Sequence, residues 1–140
     1  MSLEKLQALR QRRMEQRFVE LQATRHNLTN WQTELDKQAT TLYQFQRWRL
    51  QQQESLFADL QSKPFATTSW HSYQETLEQL RLQEEHLRQE LQKAQQAVTD
   101  AEKQVEQARQ QSRAANLKLE KMKEIIIKQE AQPTPAESAQ

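Results

Sequence analysis

Glycine and cysteine are both absent from the 140-residue chain, and proline occurs three times, at Pro64, Pro133 and Pro135. Each absence excludes something. Without glycine there is no residue for positive φ or for close approach of backbone to a ligand, so P-loops, dinucleotide fingerprints and nucleophile elbows are ruled out. Without cysteine there are no disulfides and no thiol chemistry, which agrees with a reducing compartment. Long apolar runs are missing too: the longest aliphatic stretch is Ile125 to Ile127, far short of a bilayer span. The charged opening MSLEKLQALRQRR lacks the apolar core of a signal peptide, so neither membrane insertion nor a cleaved leader is expected.

Glutamine fills the gap, at about a fifth of the chain, with Leu, Ala, Glu, Lys and Arg. These side chains lose little entropy in a helix. With 35% hydrophobic and 28% charged residues, the composition is that of long helices rather than of a compact globule. Twenty basic and nineteen acidic residues leave a net charge of +1, which gives no reason to expect a nucleic-acid partner for the whole molecule. Locally, Lys5, Arg10, Arg12, Arg13 and Arg17 outnumber Glu4 and Glu15. That basic segment reads first as a solvated helix face, then as a docking site for an acidic protein surface, and last as a contact for nucleic acid.

The segment SKPFATTSWHS, residues 62–72, interrupts the helical pattern, because the residue before a proline is pushed away from helical angles. Helix 1 is therefore expected over 1–61, a turn over 62–71, helix 2 over 72–130 and a disordered tail over 131–140. Ser72 with Glu75 fits a capping box, while Thr68 or Ser69 offers an earlier start that brings Trp70 into the first turn. Downstream, a four-three alternation runs from Tyr73, Leu77, Leu80, Glu84, Leu87 and Leu91 through Ala94, Val98, Ala101, Val105 and Ala108. It continues through Ser112, Ala115, Leu119 and Met122 to Ile126. This is a coiled-coil seam with an alanine-rich middle. Upstream, Met14, Leu21, Leu28, Leu35, Leu42, Arg49 and Leu56 recur every seven residues. Taking the complementary row four residues on gives Phe18, Arg25, Gln32, Ala39, Gln46, Gln53 and Leu60, which is largely polar.

Two helices of similar length separated by one turn predict an all-α fold, an antiparallel coiled-coil hairpin, monomeric. Pairing Leu56 with Leu77 sets the remaining layers: Leu42 with Leu91, Leu35 with Val98, Leu28 with Val105, Leu21 with Ser112 and Met14 with Leu119. The midpoint of this register falls between Ala66 and Thr67, inside the turn. Arg49 then meets Glu84, so the two charged interruptions face each other. An ion pair in a seam adds little net stability, but a slip would strand each charge among leucines, so a register-fixing role follows. The alternative is that both side chains snorkel to solvent without touching.

A two-helix hairpin offers no concave site that excludes water, and His26, His71 and His86 belong to no metal motif, so the chain is read as a non-enzyme without cofactor or metal. His86 lies among Glu84, Glu85 and Glu90, where surface ion pairing is the plainer reading than zinc. Aromatic residues concentrate around the turn: Phe45, Trp48, Phe57, Phe65 and Trp70. They form either a small satellite core, with the turn folding over Trp48 and Phe57, or a docking patch.

Phe45, Trp48, Arg49, Leu56 and Phe57 compose an aromatic, two residues, Trp-Arg, six residues, Leu-Phe; past the turn come Tyr73, Gln74, Leu77, Leu80, Arg81 and Glu84. Both patterns resemble the YscO family of type III secretion stalk proteins, whose flagellar counterpart is FliJ. The resemblance implies a non-enzymatic stalk in the bacterial cytoplasm at the base of the injectisome. Its implied partners are the hexameric secretion ATPase, the export-gate ring and chaperones of exported translocators. On that implication Arg10, Arg12, Arg13 and Arg17 face the ATPase, and Phe45, Trp48, Phe57, Phe65 and Trp70 face the gate or a chaperone. Phe45 stands where the family pattern has tyrosine. Export of the chain itself is left open by the resemblance. A generic coiled-coil scaffold, dimerising through the alanine-rich seam, is the competing reading.

Overall fold

In a computed structural model, which describes residues 2–131, the chain is two α-helices, α1 (Leu3–Ser62) and α2 (Thr67–Ala131). No strand occurs among the described residues. The expected tail lies almost wholly outside them. Ser2 starts α1: its Oγ accepts from Lys5 N at 3.2 Å and its carbonyl from Leu6 N at 3.1 Å, satisfying donors that the first turn leaves free. Glu4 in that first turn complements the positive end of the helix dipole.

The helix stops at Ser62 because Lys63 precedes Pro64. Ser62 Oγ donates to the Asp59 carbonyl at 2.9 Å, covering one of the acceptors left at the helix end. Only Lys63–Ala66 connect the helices, a shorter link than the expected 62–71. α2 begins at Thr67, with Trp70 N donating to the Ala66 carbonyl at 3.1 Å, so Trp70 lies in its first turn. No residue of the link takes positive φ, which is why it manages without glycine.

The fold is the antiparallel coiled-coil hairpin, and its described residues divide into two compact units, residues 29–100 and residues 2–28 with 101–131. In the turn-containing unit the buried side chains are Leu42, Leu80, Ala94 and Val98. In the other unit they are Leu21, Ala101, Val105, Ala108 and Leu119, the last only 1% exposed. The heptad rows account for this. Every seam position of α2 from Tyr73 to Ile126 is buried or half-buried, as is every member of the α1 row from Met14 to Leu56.

Two details of the seam differ from the sequence reading. In the unit containing the termini, Leu28 joins Val105 as expected, but Leu21 enters the same cluster beside Ala108 rather than standing only opposite Ser112. Arg17 likewise reaches back to Gln111. A leucine inserted between successive seam residues covers methyl groups, whereas a leucine centred on Ser112 covers a hydroxyl. The second correction concerns the complementary α1 row. Phe18, Arg25, Gln32 and Ala39 are exposed, and the half-buried positions Thr24, Gln38 and Phe45 fall three residues after Leu21, Leu35 and Leu42 rather than four, while Trp31, three after Leu28, is exposed. Thr24 tolerates this because its Oγ1 donates to the Leu21 carbonyl at 2.8 Å, leaving no unsatisfied hydroxyl. Nearer the turn Gln46, Gln53 and Leu60 are half-buried as expected.

Candidate functional site

The candidate residues fall in two groups, one in each unit. In the turn-containing unit, Arg49 Nη1 lies 3.4 Å from Glu84 Oε1, so the structure brings the two seam charges together across the helices. They are about four-fifths covered, with side chains 21% and 15% exposed. Glu84 is shared: its other oxygen accepts from Arg88 Nη2 at 3.1 Å within α2. Arg49 Nε is buried with no hydrogen-bond partner among the described residues. A buried donor without a partner costs on the order of 1–3 kcal/mol, so this level of the seam is weakly held compared with a leucine layer.

Phe45 and Trp48 adjoin that level, while Phe57, Phe65 and Trp70 lie nearer the turn, and Trp48 and Phe57, nine residues apart on α1, fall on opposite sides of that helix. The Phe45 and Trp48 rings approach to 5.6 Å between centroids with a 43° tilt, and Phe45 is the more covered of the two. Trp70 and Tyr73 form a second tilted pair at 5.7 Å. Phe57 and Phe65 stack on no other ring among the described residues, and Phe65 is 80% exposed. Every residue from Gln61 to Ser72 is exposed. The turn therefore does not fold over Trp48 and Phe57, and the satellite-core reading is corrected: a link of four residues is too short to cover side chains several turns away. Trp48, Phe57, Phe65 and Trp70 instead present apolar surface to solvent.

Beside them, Arg81 makes a bidentate contact with Glu78, the shortest N–O distance being 2.7 Å. That hydrogen bonding, then the adjacent positive charge, holds the Glu78 carboxyl below its ordinary range. The Arg81 guanidinium is correspondingly raised. Both groups are solvent-facing, so this is local tuning of a surface pair.

The second group belongs to the unit of the termini. Arg12, Arg13 and Arg17 are exposed and Arg10 is half-buried. Arg17 is engaged, donating to Glu20 at 3.0 Å and to Gln111 at 3.1 Å. Arg10, Arg12 and Arg13 have no carboxylate partner among the described residues. Arg10, Arg13 and Arg17 line a groove of about 390 Å³ together with Ala115 and Lys118 of α2, with Glu20 the one acidic residue on its wall. Lys118 was not singled out in the sequence; its signal is its place one turn past the seam alanine Ala115, on the side that α1 arginines reach.

The histidines gather nothing. Among the described residues no three His, Asp or Glu side chains are grouped to hold a metal, and no helix is long and apolar enough to cross a membrane.

No curated protein and no solved structure gives a significant match to the chain. The family model described as type III secretion protein YscO matches residues 2–139, nearly its whole length. With a hairpin, the Trp48-Arg49 to Leu56-Phe57 spacing and a family match over residues 2–139 in agreement, the chain belongs to the YscO family of type III secretion proteins.

Proposed function

We propose that this chain is a non-enzymatic stalk and adaptor of the bacterial type III export apparatus, working in the cytoplasm at the base of the injectisome. The observation that carries the reading is the family match over residues 2–139. The two surfaces fit two kinds of partner. Arg10, Arg12, Arg13 and Arg17, with Lys118 beside them, suit an acidic face of the secretion ATPase. Phe45, Trp48, Phe57, Phe65 and Trp70 suit an apolar groove on the export-gate ring or on a translocator chaperone. The two groups of residues belong to different units. The polar seam level at Arg49 supports adaptation of the turn-containing unit when a partner adds apolar contact.

The scaffold alternative loses support from the alanine seam: Ala108 is buried in a cluster with Leu21 of the same chain, and Ala94 and Ala101 are buried as well. They are unavailable to a second chain in the folded hairpin. The test is a pull-down with the full chain from a bacterium carrying the cognate secretion system. Recovery of the secretion ATPase is the expected result; a pull-down that recovers neither ATPase nor gate protein contradicts the reading.

A further inference from the structure

One apolar face of α1 is not used by the hairpin. Tyr43, Leu50 and Phe57 are spaced seven residues apart, one position after the buried row of Leu42, Arg49 and Leu56, and they are 59%, 61% and 50% exposed. Residues at this spacing lie along a single stripe of a helix. Two charges flank it on one side, each four residues after a stripe residue: Arg47 after Tyr43 and Glu54 after Leu50. The Arg47 guanidinium sits 5.8 Å from the centre of the Tyr43 ring. Arg47 has no carboxylate partner among the described residues, and Glu54 has no cation.

We infer that the stripe is a self-docking surface on which the turn-containing units of two copies of this chain pair through α1, antiparallel, about a two-fold axis at Leu50. The occupant follows from the order of the residues. Antiparallel pairing centred on Leu50 lays Tyr43 of each copy against Phe57 of the other, and Leu50 against Leu50. The two-fold keeps the charged flank on the same side in both copies. Arg47 then lies within about 1.5 Å in height of the other copy's Glu54, given the helical rise per residue, and the contact recurs by symmetry. Two charges that lack an oppositely charged partner within the described residues thus find one in a pair. A parallel arrangement leaves both unmatched, because same-flank residues then point away from one another.

The stripe is short, three large side chains per copy, so the interface is smaller than that of a stable dimer. Pairing is therefore weak, with a dissociation constant on the order of tens of micromolar or higher, and the chain is monomeric when dilute. This inference rests on the exposed face alone and not on the partner assignments above. It has one consequence for them: Phe57 belongs to both surfaces, so self-pairing and occupation of the aromatic patch by a partner exclude each other.

The experiment is sedimentation velocity on the full chain between about 10 µM and 1 mM, a range chosen to bracket that constant. The same runs use Leu50→Glu, Arg47→Glu, Glu54→Arg and the Arg47→Glu/Glu54→Arg double variant, with helicity followed by circular dichroism. A reversible monomer–dimer equilibrium is expected. Leu50→Glu should abolish it across the range, each single reversal should weaken it about tenfold, and the double reversal should restore it to within about threefold, because opposite charges are re-paired. A chain that stays monomeric throughout overturns the proposal. So does a dimer indifferent to Leu50→Glu, which would use another surface, or a double variant no better than the singles. Should Leu50→Glu lose helicity, the charge-reversal rescue decides alone, since Arg47 and Glu54 are solvent-facing.

Discussion

The two units use one helical pattern for different ends. Among the described residues, the unit of the termini holds thirteen lysines and arginines against eight acidic residues; the turn-containing unit holds seven against ten. A chain of net charge +1 is thus a basic unit joined in sequence to an acidic one. Their interiors differ as well. The first has Leu21, Ala101, Val105, Ala108 and Leu119 buried and no charged residue in its seam, whereas the second carries Arg49 and Glu84 in its seam; both leave large apolar side chains exposed, Phe18, Val19, Leu117, Ile125 and Ile127 in the first and Trp48, Phe57 and Phe65 among others in the second. The lesson is that the units differ in the kind of apolar side chain they leave outside: the turn-containing unit exposes six large aromatics, Trp31, Tyr43, Trp48, Phe57, Phe65 and Trp70, and the unit of the termini exposes Phe18 with aliphatic residues.

The largest effect expected on this contrast is on binding. Replacing Trp48 and Phe57 with alanine should weaken binding to the gate ring or chaperone at least about a hundredfold, since truncation of buried aromatic anchors at interfaces costs about 2–4 kcal/mol each. Helicity by circular dichroism should be unchanged, because both side chains are exposed in the free chain. Next comes Leu119→Ala in the basic unit, which should lower unfolding free energy by about 2–3 kcal/mol in urea titration. Loss of protection in hydrogen exchange should centre on α2 around residue 119.

Smaller, and opposite in sign, is the response of the polar level. Arg49→Met with Glu84→Leu should raise stability by about 1–3 kcal/mol, because a largely desolvated ion pair is exchanged for apolar contact. Arg49→Met alone should lower it by roughly 1 kcal/mol, as Glu84 keeps only Arg88. A double variant less stable than the parent would mean the pair is a net stabiliser. The smallest effect concerns Glu78. Its depressed carboxyl contributes whatever stability it has above the ordinary glutamate range, and loses it as pH falls through the lowered value. Arg81→Gln should return the Glu78 titration, followed by NMR, to the ordinary range with no measurable change in the thermal midpoint.

Much of the fold was legible because the heptad is redundant. Fourteen of the sixteen seam positions of α2 and six of the seven of α1 repeat one apolar signal, and all of the seam positions are buried or half-buried. The flank of that row was not legible. Arg25 and Thr24 are both polar, and only the bond from the Thr24 hydroxyl to the Leu21 carbonyl shows which of them enters the seam. The length of the link was misread for a similar reason: Thr68, Ser69 and Ser72 all offer caps, and the chain uses none of them, beginning α2 at Thr67. For the site, the Arg49–Glu84 contact was visible as two matched interruptions, while Lys118 and the stripe of Tyr43 and Leu50 were hidden by the stronger row beside them.

The most direct test of the central claim, that two units carry two separable partner surfaces, is a crossed binding measurement with purified secretion ATPase and gate ring. One variant reverses Arg10, Arg12 and Arg13 to glutamate; the other is Trp48→Ala with Phe57→Ala. The account predicts that the first loses the ATPase and keeps the gate, and that the second loses the gate and keeps the ATPase. If both variants lose both partners alike, or neither loses either, the two surfaces are not what these residues form.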